Sequence, residues 1–289
     1  MFREALTMAR RFTWPVVLSK RDGNGVCASS IGSCVVLNRD GWIATAYHLL
    51  AQFTQLKNQT LAAQAFDAES ARLNADTTLE KRERQRQIRK LPFPAKTDAR
   101  DVSIWWGHNG CNVTDIAGIE EVDLAVGRLE PFDASWVGTY PVFKDPSRDF
   151  EPGVSLCKLG FPFHEIKPTW DSTRGAFVLP PGALPMPLFP IDGIFTRTVQ
   201  SVTQNTSAAK YPHQWIETSS PGLRGQSGGP TFDTKGTIWG IQVRTAHYPL
   251  GFDDAGAKGQ FLNVGLGVHP ATMLPFFDEK GIKYELSDY

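Results

Sequence analysis

Six consecutive residues, Gly225-Gln226-Ser227-Gly228-Gly229-Pro230, are the part of this chain best suited to chemistry. Glycines let the backbone turn sharply and adopt φ > 0, where a Cβ would clash. Such a turn presents a serine hydroxyl and aims several backbone N–H groups at one point. Converging N–H groups are what an acyl-transfer site needs to hold a developing oxyanion. A glycine-rich β-turn with an incidental serine would look the same in isolation, so the rest of the chain has to decide. A serine hydroxyl is a weak nucleophile. It needs a base, usually histidine, and that histidine needs a carboxylate to fix its tautomer.

Two upstream segments offer these partners. Gly41-Trp42-Ile43-Ala44-Thr45-Ala46-Tyr47-His48 reads as a strand running into a histidine. Alternation puts Trp42, Ala44, Ala46 and His48 on one face, and the small residues leave room for a partner. In Val122-Asp123-Leu124-Ala125-Val126 an aspartate sits inside an otherwise apolar strand. Burying it is costly unless it is paired, either with a histidine or with backbone amides. The sequence also fits the Gly-x-Ser-x-Gly elbow of an α/β sheet enzyme, with His247 or His269 and Asp253 or Asp254 completing the site. That elbow leads into a helix. Here Pro230, the turn Asp233-Thr234-Lys235-Gly236 and a β-rich run follow, and too few residues remain for such a sheet.

The segments together resemble the trypsin-like (chymotrypsin-fold) serine peptidases, and within them the bacterial HtrA-type branch. The resemblance rests on Gly32-Ser33-Cys34-Val35-Val36, Thr45-Ala46-Tyr47-His48, Asp123-Leu124-Ala125-Val126 and the serine loop, in the order His, Asp, Ser. Leu159-Gly160-Phe161-Pro162 and Gly236-Thr237-Ile238-Trp239-Gly240-Ile241 are lesser echoes. It implies an all-β fold of two antiparallel β-barrels, with a polypeptide as substrate. It also implies a catalytic triad of His48, Asp123 and Ser227, with an oxyanion hole at the Gly225 and Ser227 amides. A protease-fold binding module without turnover is the alternative. In family members made as zymogens, an aspartate before the serine pairs with a newly cut N-terminus. Neutral Gln226 makes no such pair, so no activation by cleavage is expected. Trypsin carries an aspartate six residues before the nucleophile. Pro221 stands there, so strict basic specificity is not expected. The expected substrate-binding residues are Pro221, Leu223, Arg224, Val243 and Arg244. The two arginines either favour acidic or polar substrate residues or are solvated rim. The family usually bonds the buried aspartate from the position of Val243, and valine lacks the donor.

The elements that must position these residues are mostly strands. Twenty-six glycines and 20 prolines in 289 residues indicate many turns. Lysine plus arginine equals aspartate plus glutamate, at 30 each, which argues against a dedicated nucleic-acid binder. Strands are expected over Trp14–Lys20, Val26–Asn38 and Trp42–His48, with strand character returning at 102–130. The N-terminal barrel is placed at 1–130 and the C-terminal barrel at 131–289, its strands at 154–245. Residues 51–92 have helical composition and read as an insertion of one or two helices. That insertion either decorates the barrel, docks a protein partner, or offers a basic surface to nucleic acid or another acidic partner. A leading helix and a C-terminal helix over Pro270–Lys280 complete the reading. The proline-rich run Val178–Pro190 is not a central strand, because proline donates no ladder bond; it is placed over the barrel near the cleft. No metal cluster or phosphate loop is legible, so no cofactor or metal is expected, and His108, His164, His213, His247 and His269 have no motif context. No run approaches the roughly 20 apolar residues of a membrane span, and the N-terminus lacks a signal-peptide core. No PDZ-like module is expected after the second barrel. Secreted relatives often bridge the histidine loop to the preceding strand. Leu49 follows His48, which implies free thiols at Cys27, Cys34, Cys111 and Cys157 and a cytoplasmic protein.

Overall fold

The computed structural model describes residues 1–162, 165–200, 210–250 and 261–289. His164, Asp253 and Asp254 lie outside the described residues. Helix α1 (Arg3–Phe12) opens the chain and buries Ala5, Ala9 and Phe12. Six strands then form one antiparallel sheet: β1 (Thr13–Asp22), β2 (Cys27–Val36), β3 (Trp42–Ala46), β4 (Ala99–Trp105), β5 (Asn112–Ile119) and β6 (Leu124–Glu130), in the order β4-β1-β2-β3-β6-β5. The insertion between β3 and β4 is two helices, α2 (Tyr47–Ala75) and α3 (Lys81–Lys90).

The second half contains β7 (Val142–Phe143), β8 (Ser155–Gly160), a small hairpin of β9 (Thr169–Asp171) and β10 (Ala176–Val178), then β11 (Phe189–Gln200), β12 (Gln214–Thr218), β13 (Pro230–Phe232), β14 (Ile238–Pro249), β15 (Phe261–Val268), helix α4 (Pro270–Glu279) and β16 (Glu285–Leu286). Its sheet runs β13-β8-β11-β12-β15-β14-β7-β16, and β13 also pairs with β14. That extra pairing closes six strands into a barrel, whereas the first sheet stays an open half-barrel. The closing strand β15 lies beyond the 154–245 span read from the sequence. Proteins must cover or pair sheet edges, and α2 does this for edge strand β4. Leu56 packs with Leu18 and Ala99, while the Gln59 side chain accepts from the Ala99 N–H at 3.0 Å.

The main core spans both sheets, joining Val35, Ile43 and Val126 to Phe143, Phe232 and Phe277. Helix α1 reaches across: Phe2 meets Phe232 edge-on, and Met8 lies against Gly236. The proline-rich run ends inside a strand, since Phe189 and Pro190 begin β11. Proline is tolerated there because those residues pair only with β8, and pairing with β12 starts at Phe195. Met186 from this run is buried with Val17, Phe161 and Ile166 between the two halves. All four cysteines are free. Among the described residues no helix is long and apolar enough to cross a membrane.

Candidate active site

His48 and Asp123 both sit where a strand gives way to something else. β3 stops at Ala46, and His48 lies in the first turn of α2 rather than on the strand expected from alternation. The helical composition of the insertion reaches back to Tyr47 and captures the histidine. Asp123 is likewise not inside a strand. It follows one turn of 3-10 helix (Glu120–Val122), precedes β6, and has φ 64° in the left-handed region. Aspartate is among the few side chains that accept that conformation readily.

This geometry lets Asp123 close the start of α2. Its carbonyl accepts from the Tyr47 N–H at 3.0 Å, and its Oδ1 accepts from the His48 N–H at 2.8 Å. Its Oδ2 lies 2.8 Å from His48 Nδ1. The N-cap residue Ala46 has no side-chain acceptor, so the carboxylate caps the helix from a distant part of the chain. A helix N-terminus favours negative charge there. Two donors thus hold the carboxylate, both from His48. Val243 is buried and offers the carboxylate no side-chain donor. With Nδ1–H bonded to Asp123, Nε2 is the ring nitrogen left to accept a proton.

Ser227 faces His48 across a cavity of about 450 Å³, whose lining includes Gly225, Arg224, Phe161, Leu49 and Gln52. The Ser227 hydroxyl is not hydrogen-bonded to His48 in this structure; contacts of this kind are often long in sites without substrate. The loop around Ser227 is tightly held. Gly225 (φ +92°) and Gly228 (φ +85°) take conformations closed to side chains, and a Cβ on Gly228 would come 2.0 Å from the Ser33 carbonyl oxygen. The Gly225 carbonyl accepts from Ser33 Oγ at 2.6 Å and from the Phe161 N–H at 3.1 Å. Ser33 N–H donates to the Ser227 carbonyl at 2.8 Å, and Gly228 N–H donates to the Gln242 carbonyl at 2.7 Å. The serine loop is therefore fixed between β2 of one half and β14 of the other. Among the described residues, the N–H groups of Gly225 and Ser227 donate to no protein acceptor, which leaves two free donors beside the hydroxyl. Gln226 is fully buried. Its Oε1 accepts from the Leu223 N–H at 3.0 Å and its Nε2 donates to the Phe189 carbonyl at 3.3 Å.

A second cavity, about 170 Å³, is lined by Ser227 but not by His48. Leu223, Arg224, Val243 and Arg244 line it; Pro221 does not. Arg244 stacks over Trp215 at 4.5 Å. Ser33 and Phe161 are site residues that the motifs contained without revealing a role. The sequence signal for Ser33 was a polar residue in a strand that is apolar from Cys34 to Val36. A groove along α2 near Tyr47 and Phe93 is larger, about 810 Å³, but contains none of His48, Asp123 or Ser227.

No curated protein matches this sequence. Among solved structures, the HtrA-type protease AlgW with a tripeptide is similar at 14% identity, covering 98% of this chain and 64% of that one, with a TM-score of 0.49. This chain therefore spans a little under two thirds of the length of AlgW. The active form of the Rv3671c protease from M. tuberculosis is similar at 11% identity, covering 98% of this chain and 86% of that one, also at a TM-score of 0.49. The family model for the trypsin-like peptidase domain matches residues 32–241, a span that contains His48, Asp123, Ser227 and the strands that hold them. On that match the chain belongs to the trypsin-like peptidase family.

Proposed function

We propose that the chain is a serine endopeptidase. Ser227 attacks the scissile carbonyl. His48 takes its proton at Nε2 and delivers it to the leaving amine. Asp123 holds the Nδ1–H tautomer and stabilises the imidazolium formed in between. The Gly225 and Ser227 N–H groups bind the oxyanion. The observation that carries this reading is the pairing of His48 with Asp123 at 2.8 Å across the cavity from a serine flanked by two free amides.

Gln226 supports a further part of the reading. Its side chain bonds the backbone of its own loop, so the loop is ordered without a charge from a new N-terminus. We therefore propose that no cleavage is needed for activation. The test is a fluorophosphonate probe combined with peptide hydrolysis. Wild type should be labelled at Ser227 and should cleave peptides, and Ser227→Ala should do neither. Folded wild type that binds peptides but is neither labelled nor active would support the binding-module alternative.

A further inference from the structure

Lys158 of β8 is 1% exposed, and its amine is bonded to Thr218 and Ser220, just before the Gly222–Arg224 segment that lines the small cavity beside Ser227. Nζ donates to Thr218 Oγ1 at 2.8 Å, to the Ser220 carbonyl at 2.5 Å and to Ser220 Oγ at 2.7 Å. These acceptors surround one spot. Gly265 pairs with Thr245, which lines the cavity, and a Cβ on Gly265 would come 2.9 Å from Nζ. The amine therefore takes up the space that a side chain at Gly265, on the strand paired with Thr245, would occupy. Ser220 Oγ accepts from the amine and, among the described residues, donates to no acceptor.

The cavity has a clear place in the proposed reaction. It touches Ser227 but not His48, so it receives the side chain on the acyl side of the cut bond, the P1 residue. Its walls are joined by Thr245 Oγ1 donating to the Gly222 carbonyl at 2.7 Å, which limits depth and disfavours long side chains. No carboxylate lines it, and Arg224 and Arg244 do. Among the described residues, no carboxylate lies within ion-pair distance of Lys158, Arg224 or Arg244. Burial pushes the Lys158 pKa down from 10.5 to about 7, with Asp192 opposing the shift, and an anion entering the cavity would favour the charged amine.

Resting on the serine endopeptidase reading, we infer that Lys158, together with Arg224 and Arg244, selects an acidic P1 side chain, so that substrates are polypeptides cut after aspartate or glutamate. Lys158 acts as a specificity residue through its field, since its own three N–H donors are occupied.

The test uses peptidyl diphenyl phosphonates that differ only at P1: aspartate, asparagine, glutamate, glutamine, leucine and lysine. The acid and amide pairs match in shape, so their rate ratio isolates charge. Acidic probes should label Ser227 at least about tenfold faster than their amide partners, as a charge one residue layer away in a poorly screened site would produce. In Lys158→Met the ratio should shrink by at least about threefold. Should that variant fail to fold, the wild-type ratio and that of Arg244→Gln decide. Equal or faster labelling by amide, leucine or lysine probes overturns the assignment and leaves Ser227 as nucleophile. A folded Lys158→Met with an unchanged ratio also overturns the role of Lys158. No labelling of folded wild type by any probe overturns the endopeptidase reading, and the P1 assignment falls with it.

Discussion

At the scale of single residues, the site depends on one carboxylate serving two structures. Asp123 orients His48 and also caps α2 through the His48 N–H. Asp123→Asn keeps the cap acceptor but removes the charge and permits the wrong histidine tautomer. It should lower kcat/KM by about 10⁴-fold, the loss typical of this change in a Ser-His-Asp triad, with an unchanged circular dichroism spectrum. Steady-state kinetics on a peptide substrate checks this; a loss under tenfold would count against the triad. The residue types in the motifs were legible because each has one dominant chemical use. What was not legible was local conformation. The left-handed φ of Asp123 follows from a single 3-10 turn after β5, and an alternating apolar pattern predicts a strand at that point.

At the scale of elements, helix starts are recurrent control points. α4 begins at His269, whose Nδ1 accepts from the Ala271 N–H at 3.0 Å. Burial, against Phe150 among others, pushes the His269 pKa down from 6.5 to about 4. The unfolded chain therefore binds a proton between those values that the folded chain does not. Stability from this group is complete above about pH 6.5 and falls as pH drops towards 4. His269→Asn keeps an N-cap acceptor and should lose less stability between pH 7 and pH 5 than wild type in thermal melts. Equal losses would show that His269 contributes nothing to the acid response. The helical insertion was legible as helices from composition. Its role in covering β4 was not, because the side chains that meet Ala99 are ordinary polar and apolar residues of α2.

At the scale of the whole molecule, the proposed catalytic groups come from different halves, and the joints between those halves set the geometry. Ser33 is the tightest joint, with Oγ on the Gly225 carbonyl and N–H on the Ser227 carbonyl. Ser33→Ala removes the first bond and leaves the second. The stability cost should be about 1 kcal/mol, a fall in Tm of about 2–4 °C for a chain of this size. If the joint serves catalysis, kcat should drop at least about fivefold with little change in KM. Kinetics paired with a melt separates the two effects, and an unchanged kcat would confine Ser33 to stability. By itself the sequence determined the family of chemistry: a glycine-framed serine, a histidine and an aspartate in the right order, between strands whose alternation and turns call for two β-barrels. These are local signals, carried by residue type and short spacing. Only the tertiary structure decided that Asp123 caps the helix bearing His48, that Ser33 joins the halves at the serine loop, and that the Lys158 amine is buried on Thr218 and Ser220. Each is a contact between residues far apart in the chain, where spacing carries no information and only the packing of sheets and helices brings the groups together.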